Sequence, residues 1–224
     1  MQILVHIVNT RKGQYSNYNY IIEDIEYKTA ILIDPSWDAG SYEEFIRDKG
    51  LCLEAVLLTH SHSDHTNLAG YFARKYNIPV YMSENEVIEY GFWCENLHMV
   101  NDEQILKIKN ISVFCMLLPG HTKGSMGYLI EDKLFVGDVI FYEGCGMCTY
   151  GEQSIMDMYE SIQRIVKICT EKHKIYSGHV YYQMVGQQLG DIKKDNLCMI
   201  LSQDEFYVHQ KELQSKKLFL TEQL

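Results

Sequence analysis

Four residues able to bind a metal crowd into one turn. They are His60, His62, Asp64 and His65, in the run "LLTHSHSDHTNLAG" from Leu57 to Gly70. The chain has nine histidines, so a third of them fall within this one short stretch. Imidazoles next to a carboxylate are ligand types for zinc, iron or manganese. Holding four titratable groups in a turn behind an apolar run is costly unless a metal compensates their desolvation. Two imidazoles two residues apart cannot close a tetrahedral site alone, so more ligands must come from elsewhere.

Three further candidates lie at the ends of apolar runs. They are His121 in "LLPGHTKGS", Asp138 in "LFVGDVIF" and His179 in "IYSGHVYY". Pro-Gly and Ser-Gly immediately before the two histidines mark turns that present a side chain at a sheet edge. Each of these residues alone reads more readily as a turn residue or a satisfied polar group. Beside the cluster they read as its missing partners. His98, His173 and His209 have no such context and read as surface or core residues.

The elements that must position these residues alternate along the chain. Tyr18 to Ile22 and Thr29 to Ile33 read as a hairpin around a charged turn. Ser41 with Glu44 makes a capping-box pattern for a helix stopping at Gly50, and "LEAVLLTH" then reads as a buried strand. Strand alternation places His60 and His62 on one side, with Asp64 and His65 at a helix entrance. That helix runs from about Asn67 to Tyr76, and "PVYMS" follows as a strand. Ser83 with Glu86 repeats the capping-box pattern, for a helix carrying "VIEYGFWCENL". "EQILKIKN", "ISVFCMLLPG", "SMGYLIED" and "KLFVGDVIF" read as strands, and "SIMDMYESIQRIVKICTEK" has helical periodicity. "KIYSGH" is a last strand before a charged helical tail from about residue 187. Strands alternating with helices predict a layered α/β fold with covered sheets.

The motif "THSHSDH" resembles the H-x-H-x-D-H signature of metallo-β-lactamase-fold hydrolases, and "PGHTKGS", "VGD" and "SGH" match that superfamily's later motifs in order. The resemblance covers roughly residues 17–182. It implies an αββα four-layer metallo-β-lactamase sandwich, with residues 1–224 as one domain and a short helical C-terminal extension. It further implies a dinuclear metal site, two zinc ions or else iron or manganese. Carried over by position, His60, His62 and His121 hold one metal and Asp64, His65 and His179 the other, with Asp138 bridging. Asp34, in "LIDPS", matches an aspartate that supports ligand geometry. Two metals about 3.5–4 Å apart share a hydroxide whose pKa falls toward about 7. That chemistry is metal-assisted hydrolysis, with Asp64 orienting the nucleophile or passing on its proton. No cysteine stands at a ligand position, as one does in the B1 lactamases, which argues against antibiotic hydrolysis.

The segment "VIFYEGCGMCTYGEQS" resembles the glyoxalase II loop through Gly144, Cys145 and Gly146, and Tyr181 matches a glutathione-contacting tyrosine. Asn196-Leu197 also matches a later pair of that family. Met147 stands where that family has a basic residue, Thr149 where it has an aromatic, and only 45 residues follow His179. Those departures keep thioester chemistry and put glutathione in doubt. "DPSWD", "YGFWCENL" and "EGCGMC" are similar to the zinc-dependent hydrolases encoded with bacterial modular polyketide synthases. That likeness implies acyl thioesters on an acyl carrier protein as substrates. Lys123 is a candidate for its pantetheine phosphate, although such a lysine is more often simply solvated. Cys145 reads as packing beside the site, and Cys145 to Cys148 as a C-x-x-C run outside a redox setting. Competing readings are a glyoxalase II-type hydroxyacylglutathione hydrolase, a mononuclear-iron persulfide dioxygenase, an RNA-processing nuclease, a lactonase and a non-catalytic binding protein. The seven intact ligand positions oppose the last.

Composition bounds these readings. At 224 residues and 46% apolar content the chain can bury one sizeable core. A formal charge of −10 opposes a nucleic-acid partner, which needs a basic surface. The same charge opposes long-range steering of an acidic carrier protein. Seven scattered cysteines fit reduced thiols. The start "MQILVHIVNTRKG" lacks a signal-peptide pattern, and no apolar run reaches the ~20 residues of a membrane helix. The expectation is a cytoplasmic protein without a membrane partner.

Overall fold

A computed structural model describes residues 2–13, 15–179 and 184–221. The first sheet begins with β1 (Ile3–Lys12), β2 (Tyr15–Asp24) and β3 (Thr29–Ile33), an antiparallel meander. The helix α1 (Ala39–Lys49) crosses to β4 (Cys52–Leu57), which lies parallel to β3. Two short helices, α2 (Ser63–Thr66) and α3 (Ala69–Tyr76), lead to β5 (Val80–Ser83). After α4 (Glu84–Tyr90), β6 (Leu97–Val100) completes six strands in the order β1-β2-β3-β4-β5-β6.

The second sheet opens with β7 (Ile105–Ile108), β8 (Ile111–Leu117), β9 (Met126–Ile130) and β10 (Lys133–Gly137), again antiparallel neighbours. The long helix α5 (Glu152–Ile168) crosses to β11 (Lys174–Ser177), parallel to β10. The chain ends in β12 (Gln187–Gln188), α6 (Leu189–Asp195), α7 (Leu197–Ile200) and α8 (Gln203–Thr221). The strand order is β12-β11-β10-β9-β8-β7.

Burial explains the layering. Between the sheets lies one apolar cluster, in which Ile22, Ile31 and Leu57 of the first sheet meet Val113, Tyr128 and Phe135 of the second. Residues of opposite parity on the same strands face outward. Leu32 and Val56 pack on Tyr42 of α1 and Phe72 of α3, while Leu134 and Val136 pack on Ile155, Ile162 and Phe206 of the later helices. Period-two alternation thus buries both faces of each sheet, and the result is helix, sheet, sheet, helix. No helix among the described residues is long and apolar enough to cross a membrane.

Several local expectations change. The strand β1 pairs with β2 over ten residues, where the sequence carried no strand assignment. Asp38, not Ser41, caps α1: its carboxylate accepts from the Ser41 amide at 3.3 Å, so the helix starts earlier. A carboxylate at the position before the first helical residue is as good a cap as a serine hydroxyl. The helix predicted through "VIEYGFWCENL" stops at Tyr90, because Gly91 takes the left-handed conformation that closes it. The helix predicted from about Asn67 to Tyr76 is α3, starting at Ala69, and the short helix α2, which Asn67 closes, precedes it without having been predicted. Ser83 makes no side-chain capping bond, and Glu86 is buried elsewhere.

Candidate metal centre

The ends of both sheets meet where the predicted ligands lie. The residues from Thr59 to Thr66 follow β4, His121 sits between β8 and β9, Asp138 follows β10, and His179 follows β11. His60 and His62 sit beyond the last residue of β4, so a turn rather than strand alternation brings them together. The nitrogens converge: His60 Nε2 lies 3.1 Å and His121 Nε2 3.0 Å from His62 Nδ1. In a second group His65 Nε2 is 3.3 Å from His179 Nε2. Asp64 Oδ2 is 3.6 Å from the first of these and 3.4 Å from the second.

Asp138 spans the two groups. Its carboxylate oxygens lie 3.6 Å from His65 Nε2, 3.7 Å from His121 Nε2 and 3.4 Å from His179 Nε2. All seven side chains therefore form two triads with a shared carboxylate.

Tautomers follow from the outward-facing nitrogens. His121 Nδ1 donates to the Met147 carbonyl and His179 Nδ1 to the Ser16 carbonyl, each at 2.8 Å. In the neutral form that a metal needs, this leaves both Nε2 atoms as lone pairs aimed into the site. Thr59 Oγ1 donates to Asp34 Oδ2 at 2.6 Å, so it must accept from His60 Nδ1 at 3.0 Å. Asp34 also receives the Thr59 amide at 2.7 Å and His65 Nδ1 at 3.2 Å. Asp34, buried at positive φ, thus orients two histidines at once. It also lies close enough to His60 and His65 to form a metal-capable group of its own, but its oxygens are occupied by these donors.

The donor set fits a metal. Tetrahedral zinc with bonds of about 2.0–2.1 Å to nitrogen requires neighbouring nitrogens about 3.3 Å apart, which is close to the spacing seen. Asp138 Oδ1 is buried without a hydrogen-bond partner, a cost that ligation removes. Among the described residues, three groups of side chains could hold an ion, and both triads, His60-His62-His121 and Asp64-His65-His179, are among them.

Electrostatics point the same way. Burial holds His60 and His62 below the usual imidazole range, in the neutral form a metal needs. Burial opposes the charge on His179, but contacts to Asp138 and Asp64 outweigh it and push its pKa up to about 11. Burial likewise opposes ionisation of Asp64, yet His179, His65 and the Asn17 amide keep it well below the usual carboxylate range. Metal-free protein at pH 8 therefore holds His179 as an imidazolium, and a metal must displace that proton. Zinc uptake at pH 8 should release protons, so calorimetric enthalpies should differ between buffers of unlike ionisation enthalpy. Equal enthalpies would contradict this.

Over 213 residues, 95% of each chain, the sequence is 38% identical to the probable polyketide biosynthesis zinc-dependent hydrolase PksB of Bacillus subtilis (strain 168). The family model described as the metallo-beta-lactamase superfamily matches residues 13–93. The chain belongs to the metallo-β-lactamase superfamily. It is also 32% identical over 166 residues to the hydroxyacylglutathione hydrolase of Halorhodospira halophila, covering 74% of this chain and 62% of that one. Among solved structures, ETHE1 from Myxococcus xanthus superposes with a TM-score of 0.81 at 25% identity, covering 93% and 91% of the two chains. The four-layer metallo-β-lactamase sandwich expected from the motif is the fold observed.

Other predicted site residues lie outside the triads of this metallo-β-lactamase site. Lys123 is exposed and paired with Glu89 of α4 at 2.7 Å, so a phosphate would have to displace that carboxylate. Cys145 sits 3.4 Å from the Cys198 sulfur and accepts from Gln210, and that contact together with burial pushes its thiol well up. All seven cysteines are free. Tyr181 lies outside the described residues. Sequence reasoning missed Asn17, whose amide donates to Asp64 Oδ2 at 3.0 Å while its oxygen accepts from Trp37 Nε1 at 3.1 Å. A buried asparagine in a strand is the only local signal, and it does not name its partner.

Proposed function

We propose that the chain is a dinuclear zinc hydrolase of thioesters, acting on acyl groups carried by a pantetheinyl carrier protein in polyketide biosynthesis. The observation that carries the metal chemistry is the pair of triads sharing Asp138. In this reading His60, His62 and His121 hold one zinc, Asp64, His65 and His179 the other, and Asp138 lies between them. Two bound zinc ions would supply a readily deprotonated water and positive charge for a developing oxyanion.

The chain's own residues do the rest. Asn17, itself fixed by Trp37, holds one Asp64 oxygen, so the other can orient a nucleophile and receive its proton. Asp34 and Thr59 keep His60 and His65 in the tautomers that point lone pairs inward. Met147 and Thr149, at the positions where glyoxalase II resemblance calls for a basic residue and an aromatic, support His121 here. The Met147 carbonyl accepts its Nδ1, and the Thr149 hydroxyl donates to its carbonyl oxygen. Met147 makes its contact through the backbone, so the departure from glyoxalase II lies in the side chains, neither of which is basic and able to hold a glutathione carboxylate.

The match over 95% of both chains favours the polyketide hydrolase relatives over the hydroxyacylglutathione hydrolases as guides to substrate. The test presents one acetyl group on two thiols, glutathione and a pantetheinyl carrier protein. We expect kcat/KM to be at least ~10-fold higher for the carrier, a difference of about 1.4 kcal/mol in transition-state binding. A preference for acetyl-glutathione would move the assignment to hydroxyacylglutathione hydrolysis. Turnover of neither would contradict the thioester reading.

A further inference from the structure

Glu86 is wholly buried on α4, and its hydrogen-bond partners among the described residues are all neutral. Its Oε1 accepts from the Ser61 amide at 2.8 Å and from the Ser61 hydroxyl at 2.6 Å. Its Oε2 accepts from the Gly124 amide at 3.0 Å. A buried carboxylate answered only by neutral donors is expensive, and it persists where those donors must be held.

The donors are specific. Ser61 stands between His60 and His62, and Gly124 lies three residues after His121. The first loop extends from the first sheet and the second from the second, so one side chain ties together the two loops that bear a triad. Gly124 passes so close that a Cβ there would lie 2.1 Å from the Glu86 amide nitrogen. The contact therefore cannot slide without moving α4.

We propose that Glu86 is a positioning residue for the three-histidine half of the metal centre, setting the spacing of His62 and His121. The inference rests on the metal assignment above. It predicts an asymmetry, because the Asp64-His65-His179 half makes none of these contacts with Glu86.

The variant Glu86→Gln probes it with nearly unchanged volume. A glutamine has one acceptor oxygen and one donor nitrogen, so it can answer Ser61 or Gly124 but not both. One loop is then released. Losing such support for a ligand typically costs 10–100-fold in metal affinity or activity.

The experiment titrates metal-depleted full-length protein with zinc against a chromophoric chelator, alongside cobalt(II) absorption to follow each half. In wild type we expect two binding steps. In Glu86→Gln one step should weaken by about 10–100-fold while the other stays within a few-fold. Ser61→Ala, which removes only the hydroxyl donor, should weaken the same step by less, and it decides the matter if the glutamine variant does not fold. Two steps in wild type that remain equal in both variants, or that weaken together, would overturn the inference alone. A wild type that binds no zinc would overturn the proposed function and this inference with it.

Discussion

Replacing Asp138 with alanine should lower the proposed thioester hydrolysis by on the order of 10⁴-fold and leave the fold standing. The size follows from its place: among the described residues it is the one side chain paired with His65, His121 and His179 together. Losing it separates the halves of the site, and about 5.5 kcal/mol of barrier corresponds to that factor. The fold survives because Asp64 still answers His179 when Asp138 is gone, although the metal-free protein loses the stabilisation of that contact. One carboxylate oxygen is buried without a hydrogen-bond partner, so removing it relieves a desolvation cost. Circular dichroism of metal-free protein should match wild type, with the melting temperature lowered only modestly, while kcat collapses. A variant keeping near-normal turnover would show that no shared carboxylate is needed.

Gly178→Ala should be nearly as damaging although it removes no ligand. A Cβ at this position would stand 2.5 Å from Asp138 Oδ1 and 2.5 Å from His65 Cε1. The backbone cannot withdraw, because the Gly178 amide donates to the Gly137 carbonyl and its own carbonyl accepts from Tyr18, each at 2.8 Å. The clash must therefore move the ligands. A displacement near 1 Å costs about 10²-fold in rate, and we expect at least that loss together with less than two zinc ions retained. Activity within a few-fold of wild type would mean the site is far softer than its packing indicates.

How much of this was legible in the sequence differs by residue. The histidine cluster, Asp138 and the two glycine-led histidines were legible because metal ligands impose residue type and spacing on a few positions. The layered α/β architecture followed from apolar runs alternating with amphipathic ones. The strand β1 was not: its burial varies irregularly along Ile3–Lys12, and what makes it a strand is the ten-residue register with β2. Glu86 was misread for a related reason. Ser83 and Glu86 satisfy a local capping pattern, whereas the real partners of Glu86 lie 25 and 38 residues away. Asn17 and Trp37 share that property, since a bond across the fold leaves no mark on neighbouring residues. Asp38 was a closer contest, decided by a carboxylate that reaches Ser41 from the position before the helix.

The same comparison explains why Asp34 could be read early. It sits at positive φ directly after β3, where a turn places its carboxylate under both Thr59 and His65. Asp34 was read through the match of "LIDPS" to a family motif, and Asn17 had no such match.

The central claim is that two zinc ions, held by the two triads, are what the hydrolysis requires. The most direct measurement titrates metal-depleted protein with zinc while following release of the free thiol from an acylated pantetheinyl carrier protein. We expect no turnover without metal, a plateau at two equivalents, and two zinc ions per chain by elemental analysis. Full activity at one equivalent, or in the metal-free protein, would contradict it.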